Sequence, residues 1–268
     1  MDKYQILLTN DDGIKSPGLW AAAEALSDLG YVTVAAPRDQ SSGMGRSLPA
    51  GSDGVIQPEV LNVCGRDWTV YAVGGSPAQA VLHGIFEICP RKPDLVVSGI
   101  NYGENVAAGI AISGTVGAAM EAAGMGIPAL AMSLEMDSKH FFSYSTEVDF
   151  SAAAFFAAYF GRRLLEKRFP SDVDLLKVDV PSDATAETPW VITRLSRQMY
   201  FVPTRPVRKT LNEPGKIGFH LEPLLDGEPE DSDVYVLRGR RQVAVTPLSL
   251  DATARVDFRT LDDLLRSG

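Results

Sequence analysis

The stretch from Gln5 to Pro37, QILLTNDDGIKSPGLWAAAEALSDLGYVTVAAP, decides the fold. Gln5–Thr9 is short, apolar and followed at once by turn residues, which predicts a buried strand. In SPGLWAAAEALSDLG, Ser16 stands at the N-cap position, Pro17 at the first helical position and Gly30 past the far end, so a helix is predicted between them. YVTVAAP predicts a second buried strand. Strand, helix and strand in so short a span open a parallel, doubly wound sheet. Working outward, PDLVVSGI (93–100) and PALAMS (128–133) predict two further strands, with a helix over SGTVGAAMEAAGMG (113–126) capped by Ser113 or Thr115. Strands apolar along their whole length, alternating with helices, predict a sheet covered on both faces.

Between these strands the rhythm changes. VIQPEVLNVCGRDWTVYAVGGSP (55–77) is rich in β-branched residues around a Gly-Arg-Asp turn and predicts a hairpin inserted at the sheet edge. After Ser133, VDFSAAAFFAAYFGRRLLEKRF (148–169) predicts a long amphipathic helix and LLKVDVP (175–181) a strand. From Thr185 to Pro229 prolines and charges break the periodicity, as in an extended arm. DVYVLRGRRQVAVTPL (233–248) predicts two alternating strands around Gly239, and TLDDLLRS (260–267) a final short helix.

Composition narrows the function classes. The chain has 268 residues, 45% of them apolar and 22% charged, the balance of an ordinary globular protein. A net charge of −9 argues against broad attraction to nucleic acid or to an anionic membrane. A phosphorylated ligand would need a local device against that repulsion: cations, backbone amides or a metal. The two cysteines, Cys64 and Cys89, are far apart and in no metal-binding spacing, so a reducing cytoplasm is the expected compartment. The apolar run in MDKYQILLTN is too short for a signal peptide or a membrane span. His83, in AVLHGIF, reads as a helix residue rather than a ligand.

In open parallel sheets ligands bind beyond the carboxyl ends of the strands. Asp11 and Asp12 fall at such an end, as do PRDQSSGMGRS (37–47) and SGINYGEN (98–105). Two neighbouring carboxylates repel unless a cation or proton lies between them. Taken alone, Asn10-Asp11-Asp12 also fits a turn that caps the next helix. The companion loops turn the reading toward a hard divalent ion held by Asp11, Asp12, Ser42 and Asn101, all oxygen donors. Ser113-Gly114-Thr115 opens a helix whose free N–H groups suit an anion, and equally a plain cap. In SSGMGRS the glycines, Gly43 among them, allow close backbone approach and Arg46 offers a phosphate partner; a plain surface turn fits as well. Neither a Walker loop nor a three-glycine dinucleotide fingerprint is present.

ILLTNDDGIKSPGL (6–19), VAAPRDQSSGMGRSL (34–48), VVSGINYGENV (96–106), SGTVGAAMEA (113–122) and VAVTPLSLDAT (243–253) occur in that order. With these motifs the chain resembles the survival protein SurE family, metal-dependent nucleoside 5′- and 3′-monophosphate phosphatases. The resemblance is strongest over Ile6–Ser133 and weak over Met199–Pro229. It implies Asp11, Asp12, Ser42 and Asn101 as the metal ligands, Ser42 rather than Ser41 because it directly precedes Gly43. It also implies that the Ser113–Thr115 turn meets phosphate, and that subunits form homodimers or homotetramers by exchanging C-terminal segments. Where the family often has Thr-Pro-x-Asp-Cys, this chain has GSPAQAV, with Gln79 and Ala80.

The expected fold is therefore α/β, a doubly wound, Rossmann-like parallel sheet core with an inserted hairpin and a C-terminal extension involved in subunit exchange. Residues 1–268 are expected to form one SurE-like domain. In it, 1–133 is the core with the metal site, and 134–268 supplies the completing helix, the arm and a C-terminal hairpin and helix. The expected activity is divalent-metal-dependent hydrolysis of nucleoside 5′- and 3′-monophosphates, with short polyphosphate as a further candidate substrate. Asp11 and Asp12 are the catalytic pair, with one Mg2+ or Mn2+ per subunit (Ca2+ as another occupant). Asn10, Gly43, Arg46, Ser113, Gly114 and Thr115 are expected on the substrate side. No motif positions a His or Cys nucleophile, which favours direct attack by water. A non-catalytic nucleotide sensor and a glycosyl or phosphoryl transferase are the rival readings of the same fold.

Overall fold

The computed structural model describes residues 3–63, 65–141, 144–145, 147–222 and 227–267. Strand β1 (Tyr4–Thr9), helix α1 (Pro17–Ser27) and strand β2 (Gly30–Pro37) make the expected unit, with β1 and β2 parallel. β3 (Ile56–Val63) and β4 (Arg66–Val73) form the inserted hairpin, and β4 joins the sheet by pairing parallel with β2. α2 (Pro77–His83), β5 (Leu95–Tyr102), α3 (Gly114–Gly124) and β6 (Ala129–Leu134) continue the alternation. α4 (Ser151–Glu166) and β7 (Leu175–Val180) extend it. Then come β8 (Trp190–Ile192), β9 (Phe201–Thr204), β10 (Gly218–Leu221), β11 (Val243–Leu248) and α5 (Phe258–Arg266).

The described residues build a nine-stranded sheet in the order β3-β4-β2-β1-β5-β6-β7-β11-β8, and a separate pair, β9 with β10. Alternation along β1 sorts its side chains. Ile6 and Leu8 pack with α1 and α4 on one face, and Leu7 packs with α2 and α3 on the other. The sheet is mixed rather than parallel throughout, because β11 runs antiparallel to β7 and carries β8 parallel on its far side.

Three expectations change at this level. Instead of two strands around Gly239, Tyr235–Gly239 is a helical turn and only Val243–Leu248 is a strand. The turn wins because it buries Val234, Val236 and Leu237 against Val106, Ala107 and Tyr200, while β11 pairs with strands distant in sequence. Gly30 does not close α1, which ends at Ser27; Gly30 opens β2, where a Cβ would lie 2.3 Å from the Tyr4 carbonyl oxygen. Ser16 occupies the N-cap position, yet its hydroxyl makes no capping bond. Ser113, by contrast, accepts from the Val116 N–H at 3.1 Å and does cap α3. The extended arm contains the β9–β10 hairpin, its residues 223–226 lying outside the described residues. Cys89 carries a free thiol, and Cys64 lies outside the described residues. No helix among the described residues is long and apolar enough to cross a membrane.

α1 approaches β5 closely through Gly18, where a Cβ would stand 2.2 Å from the Ile100 carbonyl oxygen. That contact sets α1 directly behind the Ile100–Asn101 end of β5. Gly18→Ala is expected to lower stability by about 1–3 kcal/mol through overpacking against backbone that cannot yield. A urea unfolding midpoint, compared with the wild type, checks it.

Candidate functional site

The site begins where β1 stops. Asn10 is fully buried and folds the chain back on itself: its Nδ2 donates to the Gly13 carbonyl at 3.0 Å, and its Oδ1 accepts from the Gly13 N–H at 3.1 Å. Gly13 has φ +97°, a value that suits glycine. This tight turn presents Asp11 and Asp12 in succession at the carboxyl end of the strand. Asn10 thereby holds the turn with both ends of its amide.

The two carboxylates are served by different elements. Asp11 Oδ1 accepts from the Thr115 hydroxyl at 2.5 Å, and the Gly114 and Thr115 amides at the start of α3 also face its carboxylate. A Cβ on Gly114 would stand 2.6 Å from Asp11 Cβ, so only glycine lets α3 start this close. Asp12 Oδ2 accepts from the Tyr102 N–H at 3.0 Å, and its Oδ1 lies 3.4 Å from Gln40 Nε2. The Tyr144 hydroxyl donates to the Asp12 carbonyl at 2.5 Å. Asn101 joins through the Thr115 hydroxyl, 3.1 Å from its Oδ1, while its Nδ2 donates to the Gly103 carbonyl at 2.7 Å. That orientation leaves the amide oxygen turned toward the acidic pair.

Burial sets the electrostatics. Asp11 and Asp12 are 4% and 2% exposed. Loss of water pushes the Asp11 carboxyl above its ordinary range, against the pull of the Thr115 hydroxyl and nearby amides. Asp12 is pushed well above its range, first by burial and then by the charge of Asp11. No ion pair between described residues involves either group. A pair so placed favours a proton or a cation. Among the described residues no cluster of three or more His, Cys, Asp or Glu side chains could hold a metal. A metal bound here would have to be held by two carboxylates and neutral oxygens.

The loop after β2 is tied to the pair by its backbone, since the Ser41 N–H donates to the Asp11 carbonyl at 2.7 Å. Ser42 follows, exposed, and Gly43 beside it has φ +79° with open space around it. Arg46 goes elsewhere. Its Nε donates to Glu121 at 2.6 Å, and a Cβ on Gly124 would stand 2.7 Å from its guanidinium. The guanidinium thus lies beside the far end of α3, about 15 Å along the axis from Gly114. The expectation that Arg46 faces the phosphate side is not met here, because Glu121 offers it a nearer opposite charge. Gln79 is likewise committed locally, completing a capping box with Ser76 and accepting from the Ser52 hydroxyl at 2.7 Å.

Gln40, Tyr102 and Tyr144 carry no mark in the sequence that singles them out. Gln40 sits in the loop after β2 among better oxygen donors. Tyr102 acts through its backbone N–H, which no residue type reveals. Tyr144 comes from a segment with no periodicity or motif.

An open, largely parallel α/β sheet with a buried acidic pair at the end of its first strand defines a doubly wound ligand-binding protein whose site is made of oxygen donors. The Survival protein SurE family model matches residues 6–202, and the chain belongs to that family. It is 41% identical over 268 residues to the 5′-nucleotidase SurE of Methanocella arvoryzae, covering 98% of each chain. It is 43% identical over 263 residues to the 5′-nucleotidase SurE of Thermococcus gammatolerans, covering 97% of this chain and 96% of that one. The crystal structure of SurE protein from Aquifex aeolicus superposes with a TM-score of 0.74 at 29% identity, covering 97% of this chain and 98% of that one.

The raised Asp12 carboxyl has a consequence for stability without metal. Folded protein holds a proton there that the unfolded chain releases near the ordinary value of 3.8, so the contribution of this group falls as pH rises above that value. In chelator, Asp12→Asn is expected to gain stability relative to the wild type as pH is raised from about 4 to about 8. Urea midpoints of both proteins across that range measure it; parallel curves would contradict the burial argument.

Proposed function

We propose that the chain is a divalent-metal-dependent phosphomonoesterase that hydrolyses nucleoside 5′-monophosphates, with 3′-monophosphates and short polyphosphate as further substrates of the same site. The observation that carries the reading is the pair of adjacent, buried carboxylates with no cationic side chain paired to them among the described residues. The relatives that match over nearly the whole chain are 5′-nucleotidases, which supports the substrate class.

The donor set fits a hard ion. Asp11 and Asp12 supply two negative charges, and Ser42 and Asn101 neutral oxygens, the chemistry that Mg2+ and Mn2+ prefer. Such an ion supplies Lewis acidity toward a phosphate oxygen and toward water. The chain's own residues do the rest. Thr115 and the amides at the start of α3 fix Asp11, and Tyr102 and Gln40 fix Asp12, so both carboxylates keep one orientation through the reaction. Gly43 leaves its loop open to close approach of a phosphate. The first turn of α3, with Ser113, Gly114 and Thr115, brings the positive end of a helix dipole to the place where phosphoryl charge would gather. Burial excludes competing water from the back of the site.

Residues 1–268 act as one unit in this reading, because the sheet that begins with the acidic strand is completed by β11 and β8. The unit pairs with a second copy through its C-terminal segment. Every described residue of α5 is exposed, including the apolar Phe258, Leu261, Leu264 and Leu265, which keep 42–78% of their surface open to solvent. A helix so amphipathic, turned wholly to water, gains most from docking on another subunit.

Wild-type protein stripped of metal and resupplied with manganese is expected to release phosphate from nucleoside 5′-monophosphates. Asp11→Asn is expected to lose activity on the order of 100- to 1000-fold. Manganese should also raise the melting temperature of the wild type and not that of Asp11→Asn. Binding of nucleotide without hydrolysis under any metal would instead support the sensor. Deleting residues 251–268 is expected to shift the protein to monomer in size-exclusion chromatography with light scattering.

A further inference from the structure

Lys177 lies in the middle of β7 with no exposed surface, an unusual place for an ammonium group. It is held by two carboxylates that are equally buried, Asp179 of the same strand and Asp233 of the segment before β11. Lys177 Nζ donates to Asp179 Oδ2, and to Asp233 Oδ2 at 3.1 Å. Each carboxylate spends its remaining capacity on backbone. Asp179 Oδ1 accepts from the Asn105 N–H at 2.7 Å. Asp233 Oδ2 accepts from the Ala107 N–H at 3.0 Å, and its Oδ1 accepts from the Ser196 and Val234 N–H groups at 2.9 and 3.0 Å.

Asn105 and Ala107 are the residues that matter. They lie between Asn101 at the end of β5 and Ser113–Thr115 at the start of α3, in the segment that connects the two sides of the acidic pair. Ala107 has φ +55°, a left-handed conformation that costs a non-glycine residue energy and persists only where the surroundings enforce it. Its N–H is the one that Asp233 holds. Asn105 is tied down a second time, its Nδ2 donating to Ser133 Oγ at 2.9 Å. A core that needed only stability would be served as well by apolar side chains at these positions. An ionic cluster adds fixed direction, because each oxygen is committed to a particular N–H.

We propose that Lys177 is a positioning residue of the acidic site: with Asp179 and Asp233 it fixes the Asn105–Ala107 backbone, and so the relative placement of Asn101 and the start of α3. The proposal rests on the hydrolase reading for its kinetic consequence, though not for its structural one. It couples the C-terminal third of the chain, through Ser196 and Asp233, to a site whose metal donors all come from the first 101 residues.

The test uses full-length Lys177→Met, which leaves two carboxylates unpaired, and the charge-free K177M/D179N/D233N, which keeps volume and relieves that burden. Both are compared with wild type under manganese, by steady-state hydrolysis of a nucleoside 5′-monophosphate and by amide hydrogen exchange. The expected result is a fall in kcat on the order of 10- to 100-fold with KM moving by less than about 3-fold. Exchange at Asn105 and Ala107 should rise on the order of 10-fold or more while Leu7 and Leu8 in β1 keep their protection. Wild-type kcat and exchange in the charge-free variant would overturn the proposal. So would equal loss of protection at all these amides, or failure of both variants to fold, since either assigns the cluster to global stability alone. A wild type that hydrolyses nothing would sink the hydrolase reading, and exchange would then decide the positioning role by itself.

Discussion

Two adjacent carboxyl groups, both shut away from solvent, are the constraint on which the rest of this structure turns. Asp11 and Asp12 are tolerable in the fold only because donors reach their carboxylates from neighbouring elements: α3 through Thr115, β5 through the Tyr102 amide and the loop after β2 through Gln40, a loop that the Ser41 amide ties to the Asp11 carbonyl. None of these could arrive if the packing were looser. Gly114 lets α3 begin against Asp11, and Gly18 lets α1 press on the end of β5. The interior of the sheet is thus arranged around a polar point at its rim, and the apolar layers on either face hold the donors in register with it.

The same logic is repeated deeper in the sheet with the opposite sign. There a single ammonium, Lys177, is the buried charge, and carboxylates from β7 and from the segment before β11 answer it. The two charged centres share the chain between Asn101 and Ser113, which one uses as a donor set and the other as a tether. This links a site written in the first half of the sequence to side chains from the second.

The sequence made the first centre legible and hid the second. Alternating apolar strands and capped helices gave β1, α1, β2, β5, α3, β6 and α4 close to their observed places, and the strand-end rule pointed to the carboxyl end of β1, where Asp11 and Asp12 lie buried and Asn101 reaches the same Thr115 hydroxyl as Asp11. The strand-like alternation in 233–248 misled, because tertiary burial of Val236 and Leu237 overrode it. Arg46 misled because a residue type suited to phosphate is equally suited to a glutamate, here Glu121 on α3. Lys177 and Asp179 lie in a stretch that reads only as a strand, where charged residues ordinarily mark a solvent face. A partner fifty-six positions away, Asp233, is what makes their burial possible, and no local pattern announces it.

The place of β11 bears on the order in which the molecule can assemble. It is inserted between β7 and β8, so both must wait for residues 243–248 before their pairing is complete. Until then β7 is an open edge carrying a lysine that lacks one of its counter-charges, and unpaired edges of that kind invite association with other chains. The loop beside the acidic pair waits on Asp233 as well. The stretch 6–202 that the family model matches contains β7 and β8 but neither the strand that joins them nor Asp233, the carboxylate that holds the Ala107 amide.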